Sequence, residues 1–210
     1  DIGPIISKCS GKDTIVIPLL NVYGTGARIA ATAPDVNVLD GCIYIVGFKS
    51  GTGEITQMGE IFHIVYGVPR GHNVDPVLLD KINTDLTEAG IKVTLSDDID
   101  RDTFIKWSFI SAMALTGAYY DIPMGPIQHD GPERNTFIGL SRESEALGHK
   151  CGIDFGCDLV KHHLDVIDSL DPESTASLQK DLKSGHESEI QGQLFDIIDR
   201  ARAAGVATPV

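Results

Sequence analysis

The spacing of apolar residues changes abruptly near Asp97, and that change constrains the fold more than any other feature of the chain. Before it, apolar residues alternate with polar ones or run in short blocks broken by glycine, as strands do. Strands are predicted over residues 14–20, 36–48, 53–58, 61–66 and 92–95, with one helix over 75–89 that carries Val77, Leu78, Lys81, Ile82 and Leu86 at helical spacing. Residues 2–9 read as the tail of a further helix, and Gly24 and Gly26 as turn residues after the first strand. After Asp97 the period becomes 3.6, and helices are predicted over roughly 100–119, 132–151, 157–169, 173–184 and 186–204. Asp97, Asp98 and Asp100 stand where an N-cap and a favourable dipole charge belong. The expected fold class is therefore α/β followed by all-α, divided into 1–96 and 97–210.

Two groups of residues in the helical part carry possible chemistry. The segment from Thr103 to Thr116 is apolar almost all the way round, so its helix should be buried on every side, yet it contains Lys106. A buried ammonium is costly unless it is paired. Lys106 must snorkel outward, pair with a carboxylate or line a polar cleft, and in the last case it is a candidate proton donor. Further on, Ser177, Asp181 and Glu189 are spaced by four and then eight residues. On one helix they would return to nearly the same side and form a surface able to hold a small polar anion. The plainer alternative is a solvated face in an acidic protein. Gly185 is expected to break or kink the helix between Asp181 and Glu189.

Several stretches resemble one family in the right order along the chain. Phe104-Ile-Lys106-Trp, Thr116-Gly-Ala-Tyr-Tyr, Ser177-Leu-Gln-Lys-Asp181 and Ser188-Glu189-Ile look like ketopantoate reductase (2-dehydropantoate 2-reductase). Thr14-Ile-Val-Ile-Pro-Leu-Leu-Asn21 is similar to its strand ending in an asparagine turn. Gly41-Cys-Ile-Tyr-Ile-Val and Gly53-Glu-Ile-Thr-Gln-Met-Gly59 are similar to the β-meander that follows, and Gly205-Val-Ala-Thr-Pro209 to its closing stretch.

The resemblance implies the remnant of a Rossmann-like NADP-binding domain over 1–96 and a 6-phosphogluconate-dehydrogenase-like helical substrate domain over 97–210. It implies NADPH-dependent reduction of ketopantoate, with Lys106 polarising the carbonyl and then protonating it. Glu189 would hydrogen-bond the lysine and the substrate hydroxyl, Ser177 would touch substrate, and Asp181 would orient its neighbours. Asn21 would stand between nicotinamide and substrate. Where the family carries asparagines one and two turns after the lysine, this chain has Ile110 and Ala114; Ser111 would replace the first only on a rotated helix. Another small 2-keto acid is the alternative substrate, and a non-catalytic helical dimerisation or sensor module the alternative function. β-Hydroxyacid dehydrogenases share the general plan but place their lysine in a different motif.

The fingerprint Gly-x-Gly-x-x-Gly is absent; its nearest match, Gly24-Thr-Gly26-Ala-Arg-Ile29, ends in isoleucine. The chain opens at Asp1 and is expected to be the C-terminal part of a longer protein, inactive alone and a possible homodimer. A net charge of −13 argues against nucleic-acid binding. No run of eighteen apolar residues suggests a membrane span. The four cysteines are few and scattered, as in a cytoplasmic protein with reduced thiols. The group His149, Cys151, Cys157, His162 and His163 lacks metal-ligand spacing, so no metal is expected.

Overall fold

The computed structural model describes residues 2–11 and 13–210. The chain divides into two compact units, one of Asp1–Leu20 and Gly24–Thr103, the other of Asn21–Tyr23 and Phe104–Val210.

The first unit contains α1 (Gly3–Cys9), β1 (Ile15–Val16), α2 (Thr25–Thr32), β2 (Asn37–Val38), β3 (Asp40–Gly51), β4 (Glu54–Gly67), α3 (Pro76–Glu88) and β5 (Lys92–Leu95). β1 and β2 pair in parallel, while β3, β4 and β5 form a second sheet, antiparallel then parallel. Leu39, Ile64 and Tyr66 centre its core, and the Tyr66 hydroxyl donates to the carbonyl of Leu79 at 3.0 Å. α3 starts where proline follows an acidic cap: the Asp75 carboxylate accepts from the Val77 N–H at 2.9 Å, and Pro76 needs no partner there.

Four expectations are corrected in this unit. The strand over 14–20 shrinks to Ile15–Val16, because Pro18 offers no N–H to a ladder. The strand over 36–48 is two, β2 beside β1 and β3 in the hairpin, divided at Leu39, whose N–H donates to Val16 O at 2.9 Å. The strands over 53–58 and 61–66 are one, bent where Ile45↔Phe62 gives way to Val46↔Met58, with Gly59 at φ 70° in the bulge. Gly26 is not a turn residue but lies in the first turn of α2, after Gly24 at φ 75°.

The second unit holds the rest of α4 (Ile99–Tyr120), a 3₁₀ turn (Gly125–Gln128), α5 (Pro132–Lys150), α6 (Leu159–Ser169), α7 (Ser177–Ser184), a π-helical turn (Gln191–Phe195) and α8 (Asp196–Ala204). No strand occurs among the described residues after Leu95. α4 is capped by Asp98, whose carboxylate accepts from the Arg101 N–H at 3.2 Å. Its apolar girth is buried from several sides. Phe104 and Trp107 pack with Leu147, Phe155, Leu159 and Ile197, and Ala112 packs with Met124, Ile127, Phe137 and Ile167. α7 begins four residues later than expected: Ala176 precedes it, and its N–H donates to the Gln179 side chain at 2.8 Å. Gly185 at φ 67° ends it, and 186–188 are not helical.

Candidate active site

The tripeptide Asn21–Tyr23 is held by the helical unit, with which it is grouped. Tyr23 stacks on Trp107 (centroids 5.4 Å, planes 23° apart) and meets the edge of Phe104 at 5.2 Å. The Arg200 guanidinium lies 5.1 Å over the Tyr23 ring and 5.9 Å from that of Trp107, and donates to the Tyr23 carbonyl. Val22 closes on Gly192, where a Cβ would come within 2.6 Å of Val22 Cγ2. With the two residues that follow it clamped, Asn21 presents its side-chain oxygen to Lys106: Nζ donates to Oδ1 at 2.7 Å.

Lys106 is 8% exposed, so its ammonium depends on protein groups for solvation. An amide oxygen satisfies an N–H without cancelling the positive charge. That arrangement suits a group which must stabilise a carboxylate or a developing oxyanion and then release a proton.

Glu189 enters the same unit just ahead of the π-helical turn. The Trp107 indole N–H donates to Gly192 O at 2.8 Å, tying that turn to the residue beside Lys106. Gln193 Nε2 donates to Glu189 Oε2 at 3.1 Å. Single π-turns inside helices recur at functional sites, because one extra residue redirects the side chains on either side. The Trp107–Gly192 hydrogen bond links the segment that carries Lys106 to the turn that follows Glu189.

The other sequence-derived residues make no hydrogen bond to Asn21, Lys106 or Glu189 among the described residues. Ser177 is exposed at the first position of α7, and Asp181 is half-buried one turn on. Neither side chain makes a hydrogen bond or ion pair among the described residues. The spacing of four and eight does not form one face, because the helix ends before Glu189. α7 packs by Leu178 against Ala114, with Met113, Leu115 and Ile190 beside them. Ser111 is fully buried, and its hydroxyl has no hydrogen-bond partner among the described residues. Five residues along α4 place it about 140° round the helix from Lys106, so it does not stand beside the ammonium. Ile110 and Ala114 do share the side of Lys106, at about 40° and 80°.

Sequence reasoning missed two residues. Gln193 carried no signal. His163, weighed only as a metal ligand, is wholly buried, with Nδ1 3.1 Å from the Ser141 hydroxyl and Nε2 3.3 Å from that of Ser108. Burial pushes its imidazole down to about 4, helped by the neighbouring His162. Cys151 and Cys157 are exposed, and no cluster able to hold a metal ion is found among the described residues. A groove of about 610 Å³ lies on the far side of α4, along Ala112, Leu115 and Tyr119; Lys106, Asn21 and Glu189 do not line it.

In the first unit, the N-terminus of α2 is already occupied. The Gly26 N–H donates to the Asp40 carboxylate at 2.9 Å, and burial raises the Asp40 carboxyl above its usual range despite that bond.

The family model described as ketopantoate reductase PanE/ApbA C terminal matches residues 98–210. The chain belongs to this family. It is 25% identical over 214 residues to the uncharacterized oxidoreductase YkpB of Bacillus subtilis (strain 168), covering 100% of this chain and 67% of that one. The solved 2-dehydropantoate 2-reductase from Porphyromonas gingivalis W83 is similar over 100% of this chain and 66% of its own (TM-score 0.80, 24% identity). D-mandelate dehydrogenase in complex with NADH is similar over 99% and 70% (TM-score 0.85, 21% identity). The chain therefore spans about two thirds of the length of these relatives. At such identities the structural likeness shows the fold alone. No helix among the described residues is long and apolar enough to cross a membrane.

Proposed function

We propose that the protein reduces a 2-keto acid to the 2-hydroxy acid, with ketopantoate as substrate and NADPH as reductant. The observation that carries this reading is the buried Lys106 ammonium held at 2.7 Å by the neutral side chain of Asn21. In this reading residues 1–96 are the C-terminal part of a Rossmann-like dinucleotide domain, and 97–210 a 6-phosphogluconate-dehydrogenase-like substrate domain.

A bound nicotinamide dinucleotide supplies the hydride. The described residues do not form its pyrophosphate cradle: the one glycine-flanked helix N-terminus that resembles it, on α2, is filled by Asp40. The chain's own contribution is to the substrate. Lys106 polarises the carbonyl, stabilises the alkoxide that forms and gives it a proton from Nζ. Asn21 fixes the direction of that ammonium. Glu189 binds the substrate hydroxyl and holds it near attack geometry. Ser177 and Asp181, at the start of α7, contact or orient the substrate from the solvent side.

A second substrate reading has its own support. The side of α4 that carries Lys106 continues with Ile110 and Ala114, which offer no hydrogen bond to a polar substituent. That wall suits a 2-keto acid with a branched or aromatic apolar side chain. Steady-state assays of the intact protein with 2-dehydropantoate and with 2-oxo-3-methylbutanoate, each with NADPH and NADH, separate the two. No oxidation of either coenzyme with any 2-keto acid would overturn both and leave a non-catalytic module.

A further inference from the structure

Gln193 is bound twice to the same residue. Its backbone N–H donates to the Glu189 carbonyl at 2.9 Å, and its side-chain Nε2 donates to Glu189 Oε2 at 3.1 Å. It is 1% exposed, in the middle of the π-helical turn. Its other amide atom, Oε1, is buried and accepts no hydrogen bond among the described residues.

That half-used amide is informative. A buried carbonyl oxygen without a donor destabilises a fold, whereas an apolar side chain of the same length fills the space without that loss. Packing alone favours methionine or leucine at this position. The N–H that reaches Glu189 is what glutamine adds. The location of that N–H is fixed from α4, because the preceding residue, Gly192, accepts from Trp107, the neighbour of Lys106.

We propose that Gln193 is a positioning residue. It holds Glu189 by Oε2 and leaves Oε1 of the carboxylate for the substrate hydroxyl. A glutamate on an untethered side chain spreads over several rotamers, and each substrate molecule that binds must then select one. A carboxylate fixed by an amide on a turn hydrogen-bonded to α4 is already oriented with respect to the helix that carries Lys106. The inference rests on the reading of Glu189 as the substrate-binding carboxylate.

The test compares Gln193→Met, Glu189→Ala and the double variant in the intact protein, using NADPH and 2-dehydropantoate, or 2-oxo-3-methylbutanoate if that is turned over faster. Gln193→Met is expected to raise KM about 10–100-fold while kcat changes much less. Its Tm should equal or exceed that of the parent, because the partnerless oxygen is gone; a merely structural glutamine would lose Tm and activity together. In the Glu189→Ala background the same substitution should add nothing, since its effect passes through Glu189. Gln193→Glu, which keeps the size but replaces the donor by an oxygen, should reproduce the rise in KM if the methionine variant does not fold. An unchanged KM in Gln193→Met, with Glu189→Ala impaired, overturns this inference alone, as does an additive double variant. An unchanged KM in Glu189→Ala overturns the role of Glu189 as well.

Discussion

At the scale of single residues, the proposed chemistry rests on Lys106. Lys106→Ala removes the only cation of α4 between Thr103 and Tyr120 and with it the proposed proton donor. A loss of about 10²–10⁴-fold in kcat is expected, the range for general acid catalysis, with little loss of Tm because a buried charge is removed. Near-parental kcat in stopped-flow or steady-state measurement would refute the role. His163 makes a different prediction. Its folded value of about 4 lies below the ordinary 6.5, so the fold favours the neutral ring. The associated stability is therefore complete above pH 6.5 and is lost as pH falls from 6.5 towards 4. Urea titrations should show stability dropping by up to about 1.4 kcal/mol per pH unit in that window. His163→Gln should flatten this dependence, and an unaltered pH profile in that variant would show that other groups govern it. Neither partner of His163 was legible: Ser108 and Ser141 lie 55 and 22 positions away, and only tertiary folding makes them its neighbours.

Among the elements, the π-helical turn decides most and announced itself least. An apolar-periodicity reading carries a helix smoothly through 191–195 because one extra residue in a turn shifts the pattern by less than its noise. Gly192 was the only available cue. It allows Val22 and the Trp107 indole to approach one backbone, and so places Asn21 and Glu189 through a single residue. Gly192→Ala puts a methyl 2.6 Å from Val22 Cγ2, which neither side can absorb without moving. The expected cost is about 1–3 kcal/mol of stability, typical of overpacking, together with a raised KM from the displaced Asn21–Tyr23 segment. Urea midpoints and kinetics on one preparation would check both; a stable variant with parental KM would show that the clamp is not needed. Elements with strong local signals were legible, such as α3 with its Asp75-Pro76 start and α7 with its stop at Gly185. α2 was not, because two glycines read as a turn when the cause of Gly26 was close approach by Asp40, fourteen residues on.

For the whole molecule, the sequence conveyed the change from strands to helices and the family, but not which distant groups touch. Lys106 and Asn21 each stood in a recognisable stretch; their contact across 85 positions is a property of the fold. The same scale governs cofactor binding. Tight recognition of a dinucleotide needs backbone N–H groups at a free helix N-terminus and, for NADPH, cations for the phosphates. Within residues 1–210 the nearest glycine pair leads into α2, whose first-turn N–H is taken by the Asp40 carboxylate, and the net charge is −13. A polyanion approaching that N-terminus would meet a carboxylate where it needs a donor. Residues 1–210 expressed alone should therefore bind NADPH with a Kd weaker than about 1 mM. Asp40→Asn, which removes the charge while keeping an acceptor for Gly26, should leave that weak binding essentially unchanged, because the other cradle donors are still missing. Micromolar binding by calorimetry, in either form, would show that the chain holds a dinucleotide by groups other than a glycine-rich turn.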